Sequence, residues 1–458
     1  MDAISFGTDG WRATLDEFTV PRVRMVGQAV ATYLRDEGHA GGTVAVGYDA
    51  RESSPKFAEE LARVLCANGF DVVLPDRDRP TPLTAWQIRH RDLAGALMLT
   101  ASHNPPEYNG VKFIPDDAAP ALPAVTEAIE ERLAEPDPLP EDEYGYVREV
   151  DFVEPHFAHA RDLVPDDLSG LTVVYDAMHG SGRDTTDRLL EEAGATVERI
   201  RCETDPEFGG GSPEPSAENL QELVEAVRER DADLGIANDG DADRIAVVTP
   251  ERGLLDENLF FAATYDYLLE SDEGPVVRTV STTFLLDRIA EAHGQEVVEV
   301  PVGFKYVAEA MGESDALMAG EESGGFSIRG HIREKDGVLM ALLAGAVEHE
   351  RAYDARVDDL LAEYGDIKQG KVSVDCPDSE KARVVDELSD EIPEEVAGVE
   401  VADVVTKDGF KLLLEDGSWV LVRPSGTEPK MRVYAEAPSS DRVTALLADG
   451  RELVASLV

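Results

Sequence analysis

Thr43-Val44-Ala45-Val46-Gly47-Tyr48-Asp49, a run with apolar residues at helical spacing from Phe57 to Asn68, and then Asp71-Val72-Val73-Leu74 form the stretch that decides the fold. It reads as an apolar strand, a polar turn, a helix and a second strand. The unit returns as Leu171-Thr172-Val173-Val174-Tyr175-Asp176, a helix near Asp187 to Ala193, and Ala195-Thr196-Val197-Glu198-Arg199-Ile200. A third copy runs Pro275-Val276-Val277-Arg278-Thr279-Val280, a helix near Phe284 to His293, and Glu296-Val297-Val298-Glu299-Val300. Strands alternating with helices predict largely parallel sheets. A spacing of about 100 to 130 residues makes each copy a domain rather than a solenoid repeat.

The 458 residues accordingly divide into α/β domains over 1–150, 151–253 and 254–366. A smaller α+β domain over 367–458 carries the strand-like segments Lys371-Val372-Ser373-Val374, Trp419-Val420-Leu421-Val422 and Met431-Arg432-Val433-Tyr434 with two helix candidates. The first boundary is drawn at Glu135-Pro136-Asp137-Pro138-Leu139-Pro140-Glu141-Asp142-Glu143, a stretch that suits a surface loop equally well.

Composition excludes several classes of function. With 94 acidic against 42 basic residues, the net charge of −52 is spread along the chain and repels nucleic acid and anionic membrane. An acidic disordered protein is excluded because 43% of the residues are apolar and patterned. A dispersed acidic excess with ten lysines fits a halophilic cytoplasm, where molar salt cuts the screening length to about 3 Å. No apolar run approaches the ~20 residues that span a bilayer. The start, Met1-Asp2-Ala3-Ile4-Ser5-Phe6-Gly7, lacks the basic and apolar regions of a signal peptide, so a cytoplasmic location is expected. Cys66, Cys202 and Cys376 are too scattered for a disulfide framework or a zinc site and read as free thiols.

Four short segments carry chemistry. Thr100-Ala101-Ser102-His103-Asn104-Pro105 follows the apolar run Ala94 to Leu99 and presents a hydroxyl at the rim of a sheet, where open α/β folds bind ligands, although the same residues suit a plain turn. Asp239-Gly240-Asp241-Ala242-Asp243-Arg244 lies between two apolar runs, and in an extended segment its alternate carboxylates converge. Such a set calls for a hard divalent cation, Mg²⁺ by preference, or else is a solvated acidic loop. An EF-hand is excluded because Arg244 and Pro250 stand where Gly and Glu are required. Gly320-Glu321-Glu322-Ser323-Gly324-Gly325 can hydrogen-bond vicinal hydroxyls or simply turn the chain. Arg423-Pro424-Ser425-Gly426-Thr427-Glu428-Pro429-Lys430 combines a guanidinium, hydroxyls and a glycine turn, a grip for a phosphate that is not transferred.

These four loops, in this order and one to a domain, resemble the α-D-phosphohexomutase superfamily, and Phe6-Gly7-Thr8-Asp9-Gly10-Trp11-Arg12 is similar to its opening motif. The resemblance covers essentially the whole chain and implies three similar α/β domains and a smaller fourth around a central cleft. It implies that Ser102 carries a phosphoryl group and that Asp239, Asp241 and Asp243 hold Mg²⁺ together with an oxygen of that phosphoserine. Arg12, His103, Lys112 and Arg244 would line the reacting phosphate, Glu321 and Ser323 would hold the sugar, and Arg423, Ser425, Gly426 and Thr427 would hold the distal phosphate. Gly325 stands where mannose- and glucosamine-type members commonly have histidine, whereas Gly330-His331-Ile332-Arg333-Glu334-Lys335-Asp336-Gly337 and Gly303-Phe304-Lys305 look like glucose-type members.

Lys112, His331 and Lys335 are the candidates for acid or base, with Lys305 beside the substrate. The implied reaction moves phosphate between C1 and C6 of a hexose, glucose first, through glucose 1,6-bisphosphate. Mannose, glucosamine and pentose phosphates are the alternatives, a phosphatase is the rival reaction and a sugar-phosphate sensor the non-catalytic rival. The expected ligand is a small sugar phosphate, and the expected assembly a monomer or homodimer.

Self-repulsion at this charge density generates the first prediction: the protein is expected to unfold in dilute buffer and recover in molar KCl. Circular dichroism across a KCl series checks it, and full stability at low salt contradicts it.

Overall fold

The computed structural model describes residues 4–7, 10–165, 167–390, 392–426 and 428–458, so Met1 to Ala3, Thr8, Asp9 and Thr427 lie outside the described residues. Among those described, the strands form four sheets. The first holds β1 (Trp11–Thr14), β2 (Thr43–Tyr48), β3 (Asp71–Leu74), β4 (Gly95–Leu99), β5 (Tyr108–Pro115) and β6 (Val147–Glu149) in the order β1-β5-β4-β2-β3-β6. The second holds β7 (Thr172–Asp176), β8 (Thr196–Ile200), β9 (Leu234–Asn238), β10 (Ile245–Thr249) and β11 (Gly253–Leu254) in the order β11-β10-β9-β7-β8. The third holds β12 (Val276–Thr279), β13 (Val297–Val300), β14 (Met318–Gly320) and β15 (Phe326–Ile328) in the order β13-β12-β14-β15.

One wiring underlies all three. The strand–helix–strand units become parallel pairs, β2 with β3, β7 with β8 and β12 with β13. A third strand, β4, β9 or β14, adds in parallel on the other side, and a fourth, β5, β10 or β15, returns antiparallel. The expectation of largely parallel sheets therefore holds for three strands of each copy and fails at the fourth. The reason is length: a parallel return needs a crossover of about a dozen residues or more, and the connections here are short hairpin turns. Those turns are the segments after Leu99, Asn238 and Gly320, so the first three chemical motifs occupy the same topological position in three sheets.

The acidic, proline-rich stretch at 135–143 precedes β6, which still pairs with β3, so it runs as a loop within the first sheet's chain. The fourth sheet is antiparallel, with β16 (Lys368–Asp375), β17 (Glu395–Val396), β18 (Val399–Val405), β19 (Phe410–Leu414), β20 (Trp419–Pro424) and β21 (Lys430–Ala437) in the order β16-β21-β20-β19-β18-β17. Helices Asp378–Asp390 and Ser440–Leu457 pack on it. Its motif also lies in a hairpin turn, between β20 and β21.

The element that joins the copies is the helix Gly337–Glu350, buried on every side from Gly337 to Val347 and packed against β9, β10 and helices Thr186–Glu192 and Glu257–Leu269. An all-apolar helix of this kind belongs in an interior. Asp336 caps it by accepting from the backbone N–H groups of Val338 and Leu339 at 2.9 and 2.7 Å. The other Asp336 oxygen accepts from His156 Nε2 at 2.6 Å and lies 2.9 Å from His331 Nε2. His331 stacks on His159, which stacks on Trp86 with ring centroids 3.9 Å apart. Segments near 86, 156 and 336 thus meet in one buried polar junction.

Burial, with His331 and His156 nearby, pushes the His159 imidazole down from 6.5 to about 4. Burial likewise lowers His331, and although it opposes the ionised form of Asp336, His156 and His331 hold that carboxyl well below the usual range. A histidine depressed in the folded state stays neutral while the unfolded chain takes up its proton, so the associated stability is complete above pH 6.5 and lost toward pH 4. The melting temperature in concentrated KCl is expected to fall across that interval, with a shallower slope in His159→Gln. Equal slopes in a calorimetric pH series contradict it.

Candidate active site

Ser102 occupies the β4–β5 turn with φ of +49°, a left-handed conformation uncommon for a residue with a side chain. Its backbone N–H donates to Thr100 Oγ1 at 2.8 Å, and its hydroxyl donates to Asp239 Oδ2 at 2.7 Å. Arg12 from β1 reaches the same turn, donating to Asn104 Oδ1 at 3.3 Å. His103 Nδ1 lies 3.4 Å from the serine hydroxyl. Burial, and then the Arg244 and Arg12 guanidiniums, push that imidazole down to about 2, so it is neutral at physiological pH. The two turns touch because Gly240 has no side chain, since a methyl there would meet the Ser102 carbonyl oxygen at 2.6 Å.

Asp239, Asp241 and Asp243 are all buried, and oxygens of the three carboxylates lie within 4.8 Å of one another. They converge through a tight turn rather than an extended segment, with Ala242 at φ of +51°. Burial, then Asp243 and Asp241, push the Asp239 carboxyl well above its usual range. Cations gather from the first sheet, from the aspartate turn itself and from the chain beyond the third sheet. Lys112 on β5 places Nζ 3.1 Å from Asp241 Oδ2 and 2.9 Å from Asp243 Oδ2, and Lys335 Nζ lies 3.0 Å from Asp243 Oδ2. Arg244 Nε stands 3.9 Å from both Asp239 and Asp243. Thr81, at the start of helix Thr81–Arg91, donates its backbone N–H to the Asp241 carbonyl at 2.9 Å and its hydroxyl to Asp241 Oδ2 at 2.6 Å.

The β14–β15 turn meets the aspartate turn directly, the Ile245 N–H donating to the Gly324 carbonyl at 2.9 Å. Glu321 is buried, accepts from the Gly303 N–H at 2.9 Å, and is pushed up to about 7 by burial and the neighbouring Glu322. Ser323 is exposed on the turn. Gly325 makes room for Lys335, whose Cδ would lie 2.5 Å from a methyl at that position. Lys305 is half-buried, two residues beyond Gly303, with Nζ 5.4 Å from the Tyr306 ring.

In the β20–β21 turn, Arg423 donates through Nε to Asp408 Oδ2 at 2.9 Å, and the same oxygen accepts from the Val302 N–H at 3.0 Å. That carboxylate ties the fourth turn to the loop that binds Glu321. Ser425 donates its N–H to the Lys430 carbonyl at 2.8 Å, and Gly426 is exposed.

Ser102, His103, Arg12, Lys112, Arg244, Lys335 and the three aspartates therefore meet at one place. His331 does not join them: its side chain is fully buried in the junction with Asp336, His156 and His159, where no sugar hydroxyl could reach it. Sequence reading missed Arg51, which donates to four carbonyls of the serine turn, Thr81 beneath Asp241, and Lys381, which donates to the carbonyls of Ser425 and Glu428 at 2.6 and 2.5 Å. The Asp49-Ala50-Arg51 pairing was the available signal for Arg51, since Nε donates to Asp49 Oδ2 at 3.0 Å.

The residues fit a divalent cation. Asp241 Oδ1 is buried and finds no hydrogen-bond partner among the described residues, a costly state for a carboxylate oxygen unless a ligand completes it. An all-oxygen set of hard donors suits Mg²⁺.

The models of four successive domains match the chain: "Phosphoglucomutase/phosphomannomutase, alpha/beta/alpha domain I" over residues 3–139, domain II over 151–253, domain III over 256–364 and the C-terminal domain over 372–453. A Methanopyrus kandleri protein named "Probable phosphoglucosamine mutase" is 35% identical over 96% of this chain and 95% of its own. A Thermococcus kodakarensis protein named "Phosphopentomutase" is 35% identical over 95% and 94%. A crystal structure from Thermus thermophilus, provisionally named a phosphomannomutase, has a TM-score of 0.86 at 32% identity and covers 99% of each chain.

The orphaned Asp241 oxygen and the raised Asp239 carboxyl yield a prediction. Mg²⁺ at about 100 times its dissociation constant should stabilise the fold by ~2.7 kcal/mol, with tighter binding as pH rises and Asp239 gives up its proton. Thermal melts with and without MgCl₂ check it, and Asp241→Asn is expected to abolish the shift.

Proposed function

Because the chain belongs to the phosphoglucomutase/phosphomannomutase family, which makes it a phosphohexomutase-type isomerase, we propose that it transfers phosphate between C1 and C6 of a hexose, with glucose 1-phosphate and glucose 6-phosphate as the preferred pair. The observation that carries this is the Ser102 hydroxyl, 2.7 Å from Asp239 among three buried carboxylates. A serine so placed suits phosphoryl transfer, in which neutralisation of charge and in-line positioning supply most of the catalysis.

Ser102 would carry the phosphoryl group at rest. Mg²⁺, held by Asp239, Asp241 and Asp243, would neutralise phosphoryl oxygens. Arg12 and Arg244 would line the group being transferred, with neutral His103 as a hydrogen-bond partner. Transfer breaks the P–O bond to Ser102 Oγ and forms one to the free sugar hydroxyl, whose proton passes to a lysine that enters the step as the neutral amine and leaves it as an ammonium paired with Asp243; Lys335 is the candidate, with Lys112 beside it. The hexose 1,6-bisphosphate then turns over and returns its other phosphate to Ser102. Arg423, Ser425 and Gly426, with Thr427 on sequence grounds, would hold the phosphate that is not reacting, and Glu321 and Ser323 the sugar.

The preference for glucose rests on Gly325 with Lys335 across it, in place of a histidine. The named activities of the relatives, on glucosamine and pentose phosphates, make substrate competition the decisive experiment. ³¹P NMR in molar KCl with Mg²⁺ and a trace of glucose 1,6-bisphosphate should show glucose 1-phosphate converted ahead of mannose, glucosamine and ribose 1-phosphates, without inorganic phosphate. Another sugar turning over first would replace glucose, and free phosphate alone would make the protein a phosphatase. Ser102→Ala should abolish conversion while leaving the fold intact; retained turnover in that variant would remove the phosphoserine.

A further inference from the structure

We propose that Arg51, anchored by Asp49, is the positioning residue for Ser102: it holds the serine turn in the strained conformation from which the phosphoryl group is passed. The proposal rests on reading Ser102 as the phosphoryl carrier. Arg51 is 1% exposed and its five N–H donors are all engaged. Nε donates to Asp49 Oδ2 at 3.0 Å, Nη2 to the carbonyls of Ser102 and Asn104 at 2.8 and 2.6 Å, and Nη1 to those of Pro105 and Tyr108 at 2.6 and 3.2 Å. The turn is thus wrapped around a buried cation.

A non-glycine residue at φ of +49° persists only where its surroundings over-determine it. Within the turn, the Thr100 hydroxyl fixes the Ser102 N–H. The Ser102 carbonyl is fixed from outside, by Arg51. Asp49 is braced in its turn by the Ser54 hydroxyl at 2.6 Å and the Arg51 N–H at 3.2 Å. The second domain closes the other side, with the Phe208 ring 5.0 Å from the guanidinium and the Ser212 hydroxyl donating to the His103 carbonyl. Fork geometry is the requirement, because the donors of a lysine radiate from one nitrogen and cannot span four carbonyls. Arg51 hydrogen-bonds neither the serine hydroxyl nor Asp239, Asp241 or Asp243, so its effect belongs on the rate of phosphoryl transfer rather than on capture of the sugar.

The test uses full-length Arg51→Gln and Arg51→Lys in concentrated KCl with Mg²⁺, following phosphorylation of Ser102 by glucose 1,6-bisphosphate with ³¹P NMR and measuring kcat and KM. Phosphorylation and kcat are expected to fall about 100-fold in the glutamine variant, the cost of a misplacement near 1 Å, with KM within about threefold of wild type and lysine rescuing little of the loss. Arg51→Lys carries the test alone should the glutamine variant not fold. Lysine at the wild-type rate, or a loss expressed in KM with kcat kept, would overturn the proposal. A wild type that takes no phosphate on Ser102 would sink the mutase reading and this proposal together, whereas phosphorylation equally fast in wild type and variants would sink this proposal alone.

Discussion

Three carboxylates buried in a single turn are the constraint on which the rest of the molecule depends. Two unit charges about 4 Å apart repel by about 4 kcal/mol at the effective dielectric of a protein, and Asp239, Asp241 and Asp243 make three such pairs. Burial removes the water that would otherwise relieve them, which is why Asp239 clings to its proton. Their own sheet offers Arg244, while Lys112 comes from the first sheet and Lys335 from the chain beyond the third. The turn that most needs cations is therefore the one that draws the first three domains together. The helix after Lys335 completes the attachment by burying its apolar surface against β9 and β10.

The hairpin position explains why a site assembled from four domains remains simple to build. Each copy ends its third strand at the same rim and returns at once, so each contributes one short turn rather than a long excursion. Duplicated wiring thereby delivers different chemistry to one place: a hydroxyl, a set of carboxylates and a pair of glutamates. The fourth turn arrives by a different architecture and is tied on through Asp408, shared between Arg423 and Val302. That link does not stand alone: Lys407 and Lys411 reach Glu299, and Trp419 and Leu421 pack with Val280 and Phe284.

Much of this was legible in the sequence because the chemistry is local. The aspartates, the serine and the glutamates are each contiguous, and strand–helix–strand periodicity located the first two strands of every copy. What remained illegible was contact between distant segments. Arg51 and the turn it holds are separated by 51 residues at Ser102, and no period connects them. His331 shows the converse error: its place in a charged run beside Lys335 suggested chemistry, but only the fold brings His156 and His159 against it. The strands β17 and β18 were missed because they are short or half-exposed and alternate valine with acidic residues, and β19, Phe410-Lys411-Leu412-Leu413-Leu414, because a short, mostly buried apolar run carries no alternation.

The acidic composition and the cationic site bear on one another. A chain with ten lysines places two of them almost fully buried against Asp243, at 3% and 5% exposure. Meanwhile a net charge of −52 opposes the approach of any phosphorylated ligand. In dilute solution that field would act over tens of ångströms and slow encounter with a sugar phosphate. In the molar salt we propose from the composition, screening shortens to about 3 Å, so an incoming phosphate feels only the groups it touches. Distant carboxylates then cost little in binding, while Lys112 and Lys335, almost fully buried beside the aspartates, are sheltered from solvent ions, and the half-buried Arg244 and Arg12 stand at close range. A surface charge that would hamper an anion-binding enzyme elsewhere is thus compatible with one whose two site lysines are buried.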